Sequence, residues 1–210
     1  VLRLKSGAQV QLFDGSGNEF IAERTQVGKK SVIAQLTQVL PSLPEPKLGL
    51  HLGQGLSKGE RMDWAIQKAT EMGVTQITPL LTEHCEVRLN TQRAQKRLEH
   101  WRQVAISACE QCGRGVLPII HPIQKLNSWL DSQNADLRLV LHPRAPAFSH
   151  YAAPKELALL IGPEGGLSDA EVEQALSHDF QAVSLGPRIL RTETAPVAAL
   201  AVAQHLWGDL

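Results

Sequence analysis

The chain lacks the features that would tie it to a membrane or to a strongly charged partner. Its 21 basic residues balance its 21 acidic ones, so no whole-molecule field draws it toward nucleic acid or an anionic bilayer. Any such partner must be met by a local patch. No apolar run approaches the roughly 18 to 20 residues of a spanning helix. The longest, Ala195 to Ala203, is broken by Pro196 near its start, and a membrane-spanning helix is excluded. The three cysteines, Cys85, Cys109 and Cys112, cannot all pair, and no basic-then-apolar signal opens the chain. A reducing cytoplasm is the simplest compartment. Repeats and low-complexity tracts are also missing, and so is an initiator methionine. The sequence opens at Val1 inside an apolar and basic alternation, which reads as the interior of a domain whose N-terminal piece is absent.

What remains is ordinary for a folded protein. With 210 residues, 43% of them apolar and 20% charged, the chain can build one or two buried cores. Gln9 to Phe13, Glu19 to Glu23 and Ser31 to Gln38 read as strands of a small antiparallel unit, with Asp14-Gly15-Ser16-Gly17 as the first turn. Three prolines between Pro41 and Pro46 disfavour helix and ladder alike. The domain boundary is expected there, giving a β domain with its linker over residues 1–46 and a second domain over residues 47–210.

Beyond the linker, strands alternate with helices. Leu48 to Leu52, a helix from Glu60 to Met72 stopped by Gly73, and Gln76 to Leu80 make a βαβ unit. A long helix is expected from Thr91 to Cys112, with Leu98, Trp101, Val104, Ala105, Ala108 and Cys109 on its apolar face and Gly113 at its end. Strands return at Leu137 to Leu141, Leu157 to Ile161 and Ala182 to Leu185. Ser168-Asp-Ala-Glu171 has the spacing of a capping box, and a last helix starts near Thr194 and ends at Gly208. The fold class is α/β, with a mostly parallel sheet and helices on its faces.

Three constellations invite chemistry and carry little. Gly53-Gln-Gly55-Leu-Ser-Lys-Gly59 follows a strand and precedes a helix, with Glu83 beyond the next strand, as a dinucleotide site would require. Its spacing is G-x-G-x-x-x-G, however, one place off the fingerprint, so a polar loop with Lys58 and Arg61 open to a phosphate reads as well. Cys109-Glu-Gln-Cys112, with His84 and Cys85 upstream, offers four zinc-type ligands. The pair lies inside a helical pattern rather than on a turn, which favours buried, reduced thiols and no metal. Arg88, Arg93, Lys96, Arg97 and Arg102 face only Glu99, with Arg114 just beyond, and would attract a phosphate backbone or simply form a solvated face. Lys29 and Lys30 add charge to the β domain.

The informative third is C-terminal. Leu141-His142-Pro143-Arg144, Ile161-Gly162-Pro163-Glu164-Gly165-Gly166 and Leu185-Gly186-Pro187-Arg188-Ile189-Leu190-Arg191-Thr192-Glu193-Thr194 each follow a strand. In an open parallel sheet ligands bind outside the carboxyl ends of the strands, so three such loops in succession describe one crevice. Glycines let backbone approach a flat ligand such as adenine.

The second and third of these segments resemble the signature loops of the SPOUT-class RNA methyltransferases. Ala108-Cys-Glu-Gln-Cys-Gly-Arg114 resembles, within that class, the ribosomal RNA small subunit methyltransferase E family, and the resemblance runs over essentially the whole chain. It implies a C-terminal trefoil knot, a PUA-like β-barrel at the N-terminus, and a homodimer whose partner completes the active site. It also implies S-adenosylmethionine as methyl donor and N3 of a uridine in small-subunit (16S) ribosomal RNA, free or in the assembled subunit, as acceptor. Carried over by position, the donor pocket comprises Leu141, His142, Ile161, Gly162, Gly165, Gly166, Leu185, Gly186, Ile189, Leu190 and Ala195.

The acceptor nitrogen must lose a proton before it attacks, so the site needs a base or donors that hold the resulting anion. Arg191 is the candidate for a carbonyl oxygen or a phosphate, and Glu193 or Glu164 for the proton. Against these stand two structural alternatives: Arg191 paired with Glu193, and Glu164 capping an amide. Lys58, Arg88 and Arg114 are the candidates for RNA phosphates. A nicotinamide oxidoreductase and a non-catalytic RNA-binding protein are the rival readings. A bulky residue at Gly165 separates them, because only the methyltransferase loses donor binding while keeping RNA affinity.

Overall fold

In the computed structural model, which describes residues 7–28, 31–41, 47–85, 90–148 and 151–210, the chain divides into two compact units. One comprises Val1–Glu45 with Cys109–Leu117, and the other comprises Pro46–Ala108 with Pro118–Leu210. Lys29, Lys30, Arg88 and most of the proline segment lie outside the described residues.

The first unit is an antiparallel sheet of β1 (Gln9–Phe13), β2 (Glu19–Val27) and β3 (Val32–Leu40), with β2 in the middle. The predicted turn closes on Asp14. Its carboxylate accepts hydrogen bonds from the Ser16 amide and hydroxyl, both at 2.8 Å, and from the Asn18 side chain at 2.8 Å. These bonds, Asn18 foremost, hold the Asp14 carboxyl down at about 2. Gly15, at φ +82°, must be glycine twice over, since a Cβ there would also come within 2.8 Å of the Leu117 side chain.

The second unit holds a seven-stranded sheet in which every pairing is parallel. Its order is β10 (Gln181–Val183), β8 (Leu137–Leu141), β9 (Glu156–Ile161), β4 (Gly49–Gly55), β5 (Gln76–Leu81) and β6 (Ile119–Ile120), with β7 (Gln124–Lys125) also on β5. Period-two patterning splits the strands between two apolar layers. Leu157, Leu159 and Ile161 of β9 join Leu50 and Leu52 in a core covered by α1 (Glu60–Glu71), α2 (Thr91–Cys112) and α5 (Thr194–Trp207). Ala158 and Leu160 point to the other layer, with Val140, beneath α3 (Leu126–Asp131) and α4 (Asp169–Ser177).

The helix signals act as expected. Ser168 and Glu171 form a reciprocal capping box at α4, and Gly113 ends α2 at φ +82° with its amide on the Cys109 carbonyl. The expected apolar face of α2 is buried, except that Val104 is half-exposed. Three elements had no sequence signal. β6 and β7 are two residues each and α3 six, too short to display a period. β10 stops at Val183 rather than Leu185, because the Ser184 amide turns away to the Pro146 carbonyl at 2.7 Å.

Two expectations need correction. Gly53 and Gly55 are not in a polar loop, since β4 runs through Gly55 and both are buried. A Cβ on Gly53 would lie 2.5 Å from the Trp129 ring, and one on Gly55 would lie 2.5 Å from Pro163 N. These glycines admit packing partners, not a pyrophosphate. The cysteines are free, but only Cys109 is buried, with Cys85 half-exposed and Cys112 exposed.

Candidate active site at the carboxyl ends of the strands

Because β10, β8 and β9 are parallel neighbours, the loops that follow them leave the sheet at the same edge. Backbone bonds stitch the first loop to the third: the His142 amide donates to the Val183 carbonyl at 2.9 Å and Phe148 to Ser184 at 2.9 Å. The second loop folds on itself, with the Gly166 amide on the Pro163 carbonyl at 2.9 Å. A Cβ on Gly162 would strike Leu167 N at 2.8 Å, so the turn is as tight as glycine allows.

A buried polar junction ties the second loop to the third. Gln54, 1% exposed at the end of β4, donates through Nε2 to the Thr192 hydroxyl at 3.1 Å and to the Gly55 carbonyl at 3.2 Å. Thr192 in turn donates to the Gly162 carbonyl at 2.9 Å, and the Ser57 hydroxyl lies 3.3 Å from it. Hydrogen bonds in such a dry site are strong and directional, so loop positions are set by side chains rather than by the backbone ladder alone. The Arg191 carbonyl receives the Thr194 and Ala195 amides, both at 2.9 Å, which starts α5 directly behind the third loop.

Charged groups ring this junction. The Lys58 amide donates to Glu164 Oε1 at 2.9 Å and Arg61 Nη1 to the same oxygen at 3.0 Å, while Arg61 Nε lies 3.8 Å from Glu193. Burial works to raise the Glu164 carboxyl, but the bonds from Lys58 and Arg61 outweigh it and hold the group below its ordinary range. Arg191 is exposed, and its side chain has no partner among the described residues. On the far side of the second loop, His84 Nδ1 lies 3.0 Å from the Gly165 carbonyl and 3.2 Å from that of Gly166. Both neighbours are acceptors, so Nδ1 carries the proton.

Comparison with known proteins gives this edge a context. An RNA methyltransferase domain model matches residues 44–204, and an RNA methyltransferase PUA domain model matches residues 1–37. The ribosomal RNA small subunit methyltransferase E of Buchnera aphidicola (from Schizaphis graminum) is 36% identical over 100% of this chain and 87% of its own length. The chain belongs to the ribosomal RNA small subunit methyltransferase E family. Among solved structures, a methyltransferase of Legionella pneumophila with bound S-adenosylmethionine superposes with a TM-score of 0.96. It is 42% identical and covers 99% of this chain and 87% of its own. The methyltransferase E of Neisseria gonorrhoeae, also bound to S-adenosylmethionine, superposes with a TM-score of 0.92 at 40% identity, with the same coverage.

In this family member the expected donor-pocket residues fall on the three loops and the strand ends beneath them. Leu141 and Ile161 close β8 and β9; His142, Gly162, Gly165, Gly166, Leu185, Gly186, Ile189 and Leu190 lie in the loops; and Ala195 opens α5. Lys58 and Glu164 meet, as do Glu164 and Arg61. Of the two structural alternatives, Glu164 does cap an amide, whereas Glu193 approaches Arg61 and not Arg191. Arg114 belongs to the first unit and Lys58 to the second. Sequence reading gave Gln54, Ser57, Thr192 and His84 no role in joining these loops. The usable signal was a glutamine at the end of an apolar strand, which the glycine pattern around it obscured.

Proposed function

We propose that this chain is an S-adenosylmethionine-dependent methyltransferase acting on N3 of a uridine in small-subunit (16S) ribosomal RNA. The observation that carries the reading is the convergence of three stitched loops at the carboxyl edge of a parallel sheet, in a family member whose Legionella and Neisseria relatives hold that donor. The residues present fit it. Backbone lies open at Gly166 and Gly186, where φ is +72° and +84° and a Cβ would meet nothing within 4 Å. Leu141, Leu185 and Leu190 are half-buried against the main core and offer an apolar wall for an adenine, with loop amides and carbonyls for its edge. When bound, the donor supplies a methyl group already activated by a sulfonium.

The chain's own work is on the acceptor. Arg191, with no competing partner among the described residues, is free to donate to a uracil carbonyl oxygen and stabilise the charge left when N3 is deprotonated. Glu193 is the carboxylate we assign to the proton. Glu164, held below its ordinary range by Lys58 and Arg61, is the poorer acceptor and anchors the second loop to the start of α1. Lys58, Arg88 and Arg114 are assigned to RNA phosphates, and free RNA and the assembled subunit are both candidate substrates.

The same reading takes residues 1–46 as a PUA-like barrel with its linker and residues 47–210 as a domain closed by a C-terminal trefoil knot, in a cytoplasmic homodimer. A hollow of about 610 Å³ lined by Phe148, Tyr151, Val202, Leu206 and Trp207, together with Ile189 at 83% exposed, supports the dimer.

Calorimetric titration of the chain with S-adenosylmethionine and, separately, with NADPH tests the reading. One saturable site per chain for the former, lost in Gly165→Leu, is expected, because a Cβ at Gly165 would come within 2.9 Å of the His84 Cβ and displace the loop. Mass mapping of treated small-subunit RNA then locates the methyl group. Binding of NADPH alone would overturn the assignment.

A further inference from the structure

Away from the loop junction, the second unit has a basic hollow that the methyl-transfer chemistry does not use. It has a volume of about 280 Å³ and is lined by Gly59, Asp63, Lys96, Arg97, His100 and Trp101, between the first turn of α1 and the first half of α2. Its floor is a fixed hydrogen-bond relay. Trp101, 1% exposed, donates from Nε1 to Asp63 Oδ1 at 3.1 Å, and His100 Nε2 lies 2.8 Å from Asp63 Oδ2. Both oxygens of Asp63, the only carboxylate among the described residues that line the hollow, are therefore engaged, which blunts their repulsion of an incoming anion.

Lys96 and Arg97 sit one helical turn before this relay, and neither side chain has a hydrogen-bond or ion-pair partner among the described residues. On α1, by contrast, Arg61 is matched by Glu164 and Lys68 by Glu71. Apart from Asp63, opposing charge is limited to Glu99 on the first half of α2, bound by Gln95 at 2.9 Å, and to Glu60 on the first turn of α1. Arg93, one turn before Arg97, continues the basic row along α2 away from the hollow. The rim at Gly59 is open, since a Cβ there would meet nothing within 4 Å. Lys58, which flanks that glycine, binds the second loop through its amide, so the start of α1 borders both the hollow and the loop junction.

Resting on the reading above as an RNA methyltransferase, we propose that this hollow is a phosphodiester subsite. Lys96 and Arg97 grip one backbone phosphate of the RNA strand that leads to the modified nucleotide, and the Asp63 relay holds His100 and Trp101 as its rigid floor. A phosphodiester suits the hollow better than a base does, because two unpaired cations offer charge, whereas the indole of Trp101 is buried and offers no face for stacking. The contact fixes the register of the strand and carries no sequence information.

The test compares the wild-type chain with Lys96→Ala/Arg97→Ala and with a control, Lys125→Ala/Lys155→Ala. The control removes the same charge from exposed lysines, one at the start of α3 and one just before β9. Binding of transcribed small-subunit ribosomal RNA is measured across a salt series, and S-adenosylmethionine binding is measured in parallel. The expected result is a loss of about tenfold in RNA affinity, with the slope of log K against log salt falling by about 0.7 for the lost phosphate, in the first variant only. Donor affinity and thermal melting should stay at wild-type values. RNA binding unchanged in affinity and slope, or reduced equally in the control, overturns the subsite and leaves the methyltransferase reading standing. A wild-type chain that binds neither RNA nor donor removes that reading, and the subsite with it.

Discussion

His51 gives the fold a measurable weakness to acid. It lies on β4, where its Nε2 faces the Thr78 hydroxyl at 2.8 Å and the Trp129 indole nitrogen at 3.2 Å. An indole can only donate, so Nε2 must accept, and the ring is neutral with its proton on Nδ1. A proton on Nε2 would meet the Trp129 N–H head-on. Burial first, and then the His121 ring 5.4 Å away, push the His51 pKa from 6.5 down to about 4. His121, tied through Nε2 to Gln76 Oε1 at 2.8 Å, is itself lowered by burial and relieves nothing.

A histidine depressed in the folded state binds protons more readily when unfolded. Its stabilising contribution is therefore complete above pH 6.5 and is lost as the pH falls toward 4. Linkage puts the loss from this one ring at about 2 kcal/mol at pH 5 and about 3 kcal/mol well below pH 4. Urea unfolding followed by tryptophan fluorescence at pH 7.5 and pH 5 measures it, since all four tryptophans lie in the second unit. In His51→Gln the amide oxygen can still accept from Trp129, but nothing titrates, so the variant should lose about 2 kcal/mol less than wild type between the two pH values. His178 works in the opposite direction, raised by the Gln174 carbonyl and Asp131, but it is common to both proteins and cancels. Parallel stability profiles for the two proteins would refute the placement of the proton.

The site makes three further predictions. Arg191→Ala should cut methyl transfer by about 100-fold or more while S-adenosylmethionine affinity stays within about threefold, as calorimetry would read, because the guanidinium acts only on the charge developing at the acceptor. Glu193→Gln should lose at least about 100-fold in single-turnover rate, whereas Glu164→Gln should keep the rate under saturating donor and weaken donor binding by about three- to tenfold. Equal rate losses in the two variants would undo the division of roles. Thr192→Val removes the hydroxyl that joins Gln54 to the Gly162 carbonyl and should lower stability by about 1 to 2 kcal/mol in urea unfolding, with donor affinity falling in step.

What could be read from the sequence follows the range of each signal. Long periodic segments were legible: α2 keeps its predicted ends, because its apolar stripe repeats from Leu98 to Cys109 through about three turns and Gly113 marks the stop. The strand runs were legible because fully apolar stretches such as Leu157 to Ile161 suit a parallel sheet covered on both faces. The three loops were legible as one crevice only through the rule about carboxyl ends of parallel strands, since the loops share no period. Contacts between residues far apart in the chain were not legible. Gln54 reaches Thr192 across 138 positions and His84 reaches Gly165 across 81, and no local pattern encodes either approach.

The glycines of β4 show why a correct local observation led toward the wrong chemistry. A strand that ends Gly-Gln-Gly before a helix looks like a phosphate cradle, because small residues at a strand end admit any close neighbour. Here the neighbours are protein. The Trp129 ring fills the space over Gly53, and Pro163 of the second loop fills the space over Gly55. Seating Pro163 there brings the Gly162 carbonyl down to Thr192, and Thr192 to Gln54 between the two glycines. The absence of side chains at 53 and 55 is thus what lets the loops close over β4. A methyl group at Gly55 would act on the site from beneath, by pressing on Pro163 and the Gly162 carbonyl carbon and lifting the second loop off its hydrogen bonds.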